Sequence, residues 1–79
     1  MNTTSPSEVE QKVLNIFSIV LDKPVQLSDN FYSLGGDSIE MGDIILRLNK
    51  MFNANFKLKE LLNMSGNIEE YCEKYKNII

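Results

Sequence analysis

The chain has 79 residues, 43% of them hydrophobic, with no histidine, no tryptophan and one cysteine. That length sets one small domain, which buries only about 60% of the surface its unfolded form exposes; a lone cysteine excludes an intrachain disulfide, and the missing histidine removes Ser–His and Cys–His nucleophilic chemistry together with the Cys/His ligand set of a structural zinc. A net charge of −3 with a single arginine does not give the basic face that a nucleic-acid binder shows.

Residues 1–8 are polar and have neither the positive start nor the apolar run of a secretory signal. No stretch approaches the roughly 18 consecutive apolar residues of a membrane span. The expectation is a cytoplasmic, monomeric, single domain over 1–79 that binds neither nucleic acid nor membrane, with 1–6 a flexible N-terminal tail.

The apolar spacing is helical almost throughout, without strand alternation. A first helix starts at Ser7, where Ser7 and Glu10 have capping-box spacing. Val9, Val13, Ile16, Phe17 and Val20 lie on one of its faces. Pro24 ends it, because proline disfavours helical geometry in the residue before it. Residues 22–36 form a long connection carrying Val25, Leu27, Phe31, Tyr32 and Leu34. A loop of that length in so small a domain is functional or pinned by its own apolar side chains. Gly35-Gly36 supplies two residues free to take positive φ.

The second helix is expected from about Asp37 to Phe52, with Asp37 and Glu40 as its capping box. Its core arc holds Met41, Ile44, Ile45, Leu48, Met51 and Phe52. A short third helix falls around Lys59–Asn63, after a turn with Asn53 and Asn55. The last helix begins at Asn67, with Glu70 completing a third box. Ile68, Tyr71, Cys72, Tyr75 and Ile79 share one face. The architecture is all-α: a four-helix bundle with a short third helix and a long loop between helices 1 and 2.

The chemistry lies in residues 31–39, Phe-Tyr-Ser-Leu-Gly-Gly-Asp-Ser-Ile. With Asp37 as the cap, Ser38 takes the first helical position. An anion attached there sits near free N–H groups and the positive end of the helix dipole. The two glycines remove bulk that would crowd an approaching partner. No histidine exists, and no lysine is near Ser38 in sequence, so this serine is suited to modification by another protein and not to self-activation. Taken alone, Gly-Gly-Asp-Ser is better explained as a turn that feeds a helix cap.

The context changes that reading. The stretch resembles the carrier-protein family, the acyl and peptidyl carrier domains of fatty-acid, polyketide and nonribosomal peptide synthesis. There, an aromatic-x-x-Leu-Gly-Gly-x-Ser-[Leu/Ile] segment opens the second of four helices. The matching residues are Phe31, Leu34, Gly35, Gly36, Asp37, Ser38 and Ile39, and the likeness extends over residues 7–79. The resemblance implies an acyl-carrier-type fold and a 4′-phosphopantetheine arm on Ser38. That arm comes from coenzyme A through a magnesium-dependent phosphopantetheinyl transferase, which Asp37 helps in recognising the serine, and it holds cargo as thioesters.

On that resemblance the domain is not itself an enzyme. Its partners are an adenylation or acyl-loading enzyme and condensation, tailoring or thioesterase enzymes. Gly-Gly-Asp-Ser is closer to peptidyl carriers than to fatty-acid carriers, which favours aminoacyl or peptidyl cargo; polyketide or fatty-acyl cargo stays open. A free-standing carrier is expected, with an excised module as the alternative, and an unmodified helical interaction domain is the competing class.

Helical stepping puts Ile39 and Leu46 off the core arc, on the same outward side as Gly42. Isolated exposed aliphatics are ordinary, but the resemblance assigns these positions to partner contact. Asp43, Arg47 and Lys50 lie near them and bear on partner choice through charge. Gly42 departs from the apolar residue often found there and costs roughly 1 kcal/mol of helix propensity.

Other candidates read more simply. Asp29–Glu40 mimics a twelve-residue calcium loop, but Phe31 occupies a ligand position and Leu34 sits where the turn needs glycine. No metal site is expected. Cys72, mid-stripe, reads as a buried core cysteine. Met41, Met51 and Met64 read as core filler, and Glu69, Glu70 and Glu73 as a solvated face. The chain departs from the family pattern at Ser33 (often aspartate) and Asn53 (often glycine). It departs again at Ser65-Gly66-Asn67, where Pro-Thr is common and Asn67 is expected to cap as threonine would.

Overall fold

The computed structural model describes residues 7–78. Four helices follow in order: α1, Glu8–Leu21; α2, Ser38–Phe52; α3, Leu58–Leu62; α4, Ile68–Lys76. Among the described residues there is no strand, only an isolated antiparallel bridge between Asn30 and Asn67. The expected tail at 1–6 and the expected core position of Ile79 lie outside the described residues.

α1 begins as its sequence dictates. The Ser7 side chain accepts from the Glu10 N–H while the Glu10 carboxylate accepts from the Ser7 N–H. Val13, Ile16, Phe17 and Leu21 are buried, and Val9 and Val20 pack at the edge. The helix stops at Leu21, where Asp22 adopts the left-handed conformation (φ 57°) and its N–H returns to the Ser18 carbonyl. Asn53 closes α2 in the same way, at φ 55°. Asparagine and aspartate tolerate this region better than other non-glycine residues, so Asn53 serves where glycine is usual.

The core is continuous. α1 packs on α2 and α4, and α3 lies against α2. Phe17 of α1 meets Phe31 of the loop edge-on at 5.9 Å and Tyr71 of α4 at 5.3 Å. Tyr75 sits between Phe52 (5.5 Å) and Phe56 (4.9 Å). Its hydroxyl donates to the Asn49 side-chain oxygen at 2.8 Å, and the Asn49 amide donates to the Phe56 carbonyl at 2.9 Å. These contacts join α2, the α2–α3 turn and α4.

Three expectations on helix bounds and faces are corrected. Met51 is 44% exposed and not core: it lies at the edge of the apolar arc in the last turn of α2, and Tyr75 covers that turn on the Phe52 side. α3 starts one residue early, because the Lys57 N–H donates to the Glu60 carboxylate and opens the helix at Leu58. The third capping box does not form. Asn67 makes no side-chain cap bond; its oxygen accepts from the Asn30 amide at 3.0 Å, and Glu70 accepts from the Ser65 hydroxyl at 2.7 Å. Both partners of the expected box are engaged elsewhere.

Candidate functional site

The approach to α2 is built outward from the core. Phe31 is fully buried, and Val25 is nearly so. Residues 30–36 then coil in a tight turn. Leu34 donates its N–H to the Asn30 carbonyl (3.0 Å), Gly35 to Tyr32 (3.0 Å) and Gly36 to Phe31 (2.9 Å). Lys23, just past α1, reaches across to donate to the Leu34 carbonyl at 2.9 Å.

The two glycines have different tasks. Gly35 stands at φ +92° with open space around it, so its requirement is conformational. Gly36 does not take positive φ. A Cβ there would lie 2.4 Å from the Phe31 ring, so Gly36 is required by packing inside the domain. Of the two glycines free to take positive φ, only Gly35 takes it, and Gly36 is small because of the Phe31 ring.

Asp37 caps α2 from extended backbone. Its carboxylate accepts from the Glu40 N–H at 2.8 Å, and the Glu40 carboxylate accepts from the Asp37 N–H at 3.2 Å. Ser38 is therefore the first helical residue, and it is exposed. Among the described residues its hydroxyl takes no hydrogen-bond partner, and no pocket opens beside it.

Along the outward side of α2, Ile39 is 81% and Leu46 71% exposed. Gly42 lies between them, and a Cβ there would meet nothing within 4 Å. The two apolar side chains thus flank a bare notch. Asp43 and Arg47 pair with each other at 2.8 Å. An exposed i,i+4 pair of this kind contributes about 0.3–0.5 kcal/mol, and it leaves little net charge beside the notch.

The other reactive-looking groups are held in the core. Cys72 is buried; desolvation, aided by the Glu10 carboxylate, pushes its thiol up to about 12. A thiol so seldom ionised is a packing residue. Tyr71 is buried, and among the described residues its hydroxyl has no hydrogen-bond partner. Burial raises it first, and the neighbouring Tyr32 phenol adds to the shift.

The phosphopantetheine attachment-site family matches residues 11–74 of the chain, which is most of its length and includes everything from mid-α1 into α4. The chain belongs to that family. Proteins of the family carry 4′-phosphopantetheine covalently on a serine.

The curated relatives are much longer proteins. Tyrocidine synthase 1 of Brevibacillus parabrevis is 38% identical over 58 residues, 72% of this chain and 5% of the relative. The isonitrile lipopeptide synthase of Mycobacterium tuberculosis is 37% identical over 59 residues, 73% of this chain and 2% of the relative. Gramicidin S synthase 2 of Brevibacillus brevis is 38% identical over 56 residues, 70% of this chain and 1% of the relative. The chain thus corresponds to a small part of each. None of its described helices is long and apolar enough to cross a membrane.

Among residues the sequence reading did not single out, Asn30 stands foremost. It bonds across 35 and 37 residues to Ser65 and Asn67. No local pattern reveals such pairings, because the partners become neighbours only when α4 docks.

Proposed function

We propose that Ser38 is the serine that carries the arm, and that the domain is a peptidyl-type carrier without chemistry of its own. The observation that carries the reading is the state of Ser38: exposed, first in α2, and with its hydroxyl uncommitted among the described residues. The other serines in the matched stretch are less suited. Ser18 lies within α1, Ser65 donates to Glu70, and Ser28 and Ser33 lie in loop turns and not at a helix start.

The surroundings fit a covalently attached phosphodiester. The Asp37 carboxylate satisfies the Glu40 N–H, while the first-turn N–H groups before it face outward at the positive end of α2, which favours an anion. No pocket is needed, because the arm is bonded to an exposed hydroxyl and reaches into its partners. When bound, the arm supplies a terminal thiol on which acyl groups ride as thioesters. On modification, Ser38 Oγ bonds to the pantetheine-side phosphorus of coenzyme A. The pyrophosphate P–O bond breaks, adenosine bisphosphate departs with the electron pair, and the hydroxyl proton passes to the magnesium-dependent transferase. Asp37, adjacent and exposed, is placed to be read by that enzyme.

The relatives' names and the Gly-Gly-Asp-Ser sequence favour aminoacyl or peptidyl cargo in nonribosomal peptide synthesis. Adenylation, condensation and thioesterase enzymes are the corresponding partners. Ile39, Gly42 and Leu46, with Asp43 and Arg47 at their rim, form the surface on which such partners land. Their docking leans on apolar contact, because the rim charges already neutralise each other.

The test is intact-mass measurement after incubation with coenzyme A, magnesium and a promiscuous phosphopantetheinyl transferase. The expected result is a gain of one phosphopantetheine by the wild type and none by Ser38→Ala. A gain retained in Ser38→Ala, or no gain in the wild type, overturns the assignment.

A further inference from the structure

Among the side chains that hold the segment delivering Ser38 to the surface, Asn30 makes the most hydrogen bonds. The Asn30 amide uses its whole hydrogen-bonding capacity, two acceptances and two donations. Its oxygen accepts from the N–H groups of Tyr32 (2.9 Å) and Ser33 (3.2 Å). Its nitrogen donates to the Ser65 carbonyl (3.1 Å) and to the Asn67 side-chain oxygen (3.0 Å). One half of the amide therefore shapes the loop turn, and the other half fastens it to the α3–α4 connection.

Two backbone bonds flank this clamp. Phe31 donates to Gly66 at 2.7 Å, and Ile68 donates to Asp29 at 3.0 Å. Contact is close enough that a Cβ on Gly66, itself at φ +98°, would come within 2.6 Å of the Tyr32 ring and 2.9 Å of Asn30 Oδ1. From Asn30 onward, the turn bonds of Leu34, Gly35 and Gly36 lead without a free step to Asp37.

We propose that Asn30 is a positioning residue for the modification of Ser38, holding the approach to α2 against the α3–α4 connection in the geometry a transferase meets. The proposal rests on the assignment of Ser38 above. It makes the start of α4 a support for the start of α2, although the two are far apart in sequence.

Asn30→Asp is the sharpest probe. Aspartate keeps both acceptances from Tyr32 and Ser33, but it loses both donations and sets carboxylate oxygen against the Ser65 carbonyl and Asn67 Oδ1. Asn67→Ala removes one acceptor from the same clamp and covers the case in which Asn30→Asp does not fold. Val13→Ala, a truncation in the buried face of α1, serves as a reference of lowered stability with the clamp intact. Modification by a promiscuous transferase with coenzyme A and magnesium is followed by intact mass, well below every variant's Tm, together with amide exchange at Tyr32, Ser33 and Gly36.

The expected result is a fall in kcat/KM on the order of tenfold for Asn30→Asp, as misplacement of a reacting group by an ångström or less produces. A smaller fall is expected for Asn67→Ala and none for Val13→Ala, with faster exchange at the three amides in the clamp variants alone. Wild-type rates in both clamp variants overturn the proposal, as does a loss of rate in Val13→Ala equal to theirs. If the wild type takes no phosphopantetheine, the Ser38 assignment falls. The holding role is then decided by exchange: it stands if the amides quicken in Asn30→Asp but not in Val13→Ala, and falls otherwise.

Discussion

Helix α2 is held on one side of Ser38 and open on the other. Before it, residues 30–36 are bonded at nearly every turn and pressed on the Phe31 ring, so tightly that Gly36 has no room for a Cβ. After it, Ile39 and Leu46 face solvent, and a Cβ on Gly42 between them would meet nothing within 4 Å beyond its own helix. On the proposal that Ser38 carries the arm, the difference separates two requirements of a group that must be found and handled by other proteins. Its anchor point has to be fixed, and the surface around it has to be free.

The largest test of that contrast is Gly36→Ala. The added methyl must displace the buried Phe31 ring, and overpacking of this kind costs about 1–3 kcal/mol. For a domain of this size each kcal/mol lowers Tm by roughly 4–8 °C. A Gly36→Ala protein with wild-type Tm in thermal unfolding would break the claim that the approach to Ser38 is packed to contact.

Next in size is the pair of helix starts. Asp37→Ala removes a formed cap and is expected to cost about 1 kcal/mol, within the usual range of about 0.5–2, with fraying of the first turn of α2. Asn67→Ala removes no cap bond, because Asn67 makes none. It loses the bond from Asn30 instead, a net effect of about 0.5–1.5 kcal/mol. Amide exchange distinguishes the two: Asp37→Ala should expose Glu40, whereas Asn67→Ala should expose Tyr32 and Ser33 and leave α4 protected. Fraying of α4 in Asn67→Ala would mean that its start depends on a local cap after all.

These helix starts also mark how far the sequence could be read. Ser7–Glu10 and Asp37–Glu40 formed as their spacing implies, because every partner lies within one turn; Glu10 keeps one oxygen for Ser7 while the other accepts from distant Lys76. The apolar faces of α1 and α4 were equally legible, since burial follows helical period. Asn67–Glu70 has much the same spacing and did not form a box, because Asn30 and Ser65 engage its two ends. Gly35-Gly36 was visible as a break, yet the different reasons for the two residues depend on where the Phe31 ring lies. Met51 carries the right period and is exposed, because period says which side of a helix a residue is on and not whether another element covers it. What stayed hidden was a contact outside the single turn that spacing describes, distant for Asn30 and Asn67 and nearer for Phe31 and Gly36, or at Met51 the lack of one.

The smallest expected effect has the opposite sign, which makes it the cleanest complement to Gly36→Ala. Gly42 sits in the interior of α2, where glycine costs about 0.5–1 kcal/mol relative to alanine through backbone entropy. An alanine there meets nothing within 4 Å, so no packing penalty offsets the gain. Gly42→Ala is therefore expected to stabilise the domain by about 0.5–1 kcal/mol, read as a higher denaturant midpoint with unchanged m-value. The same one-carbon substitution, six residues apart on the two sides of the start of α2, should lower stability at Gly36 and raise it at Gly42. A stability loss at Gly42 would show that the outward face is constrained within the isolated domain, and the notch between Ile39 and Leu46 would then not be free for a partner. A gain instead leaves an unfavourable helix residue whose retention the fold does not require, one turn from the serine proposed to carry the arm.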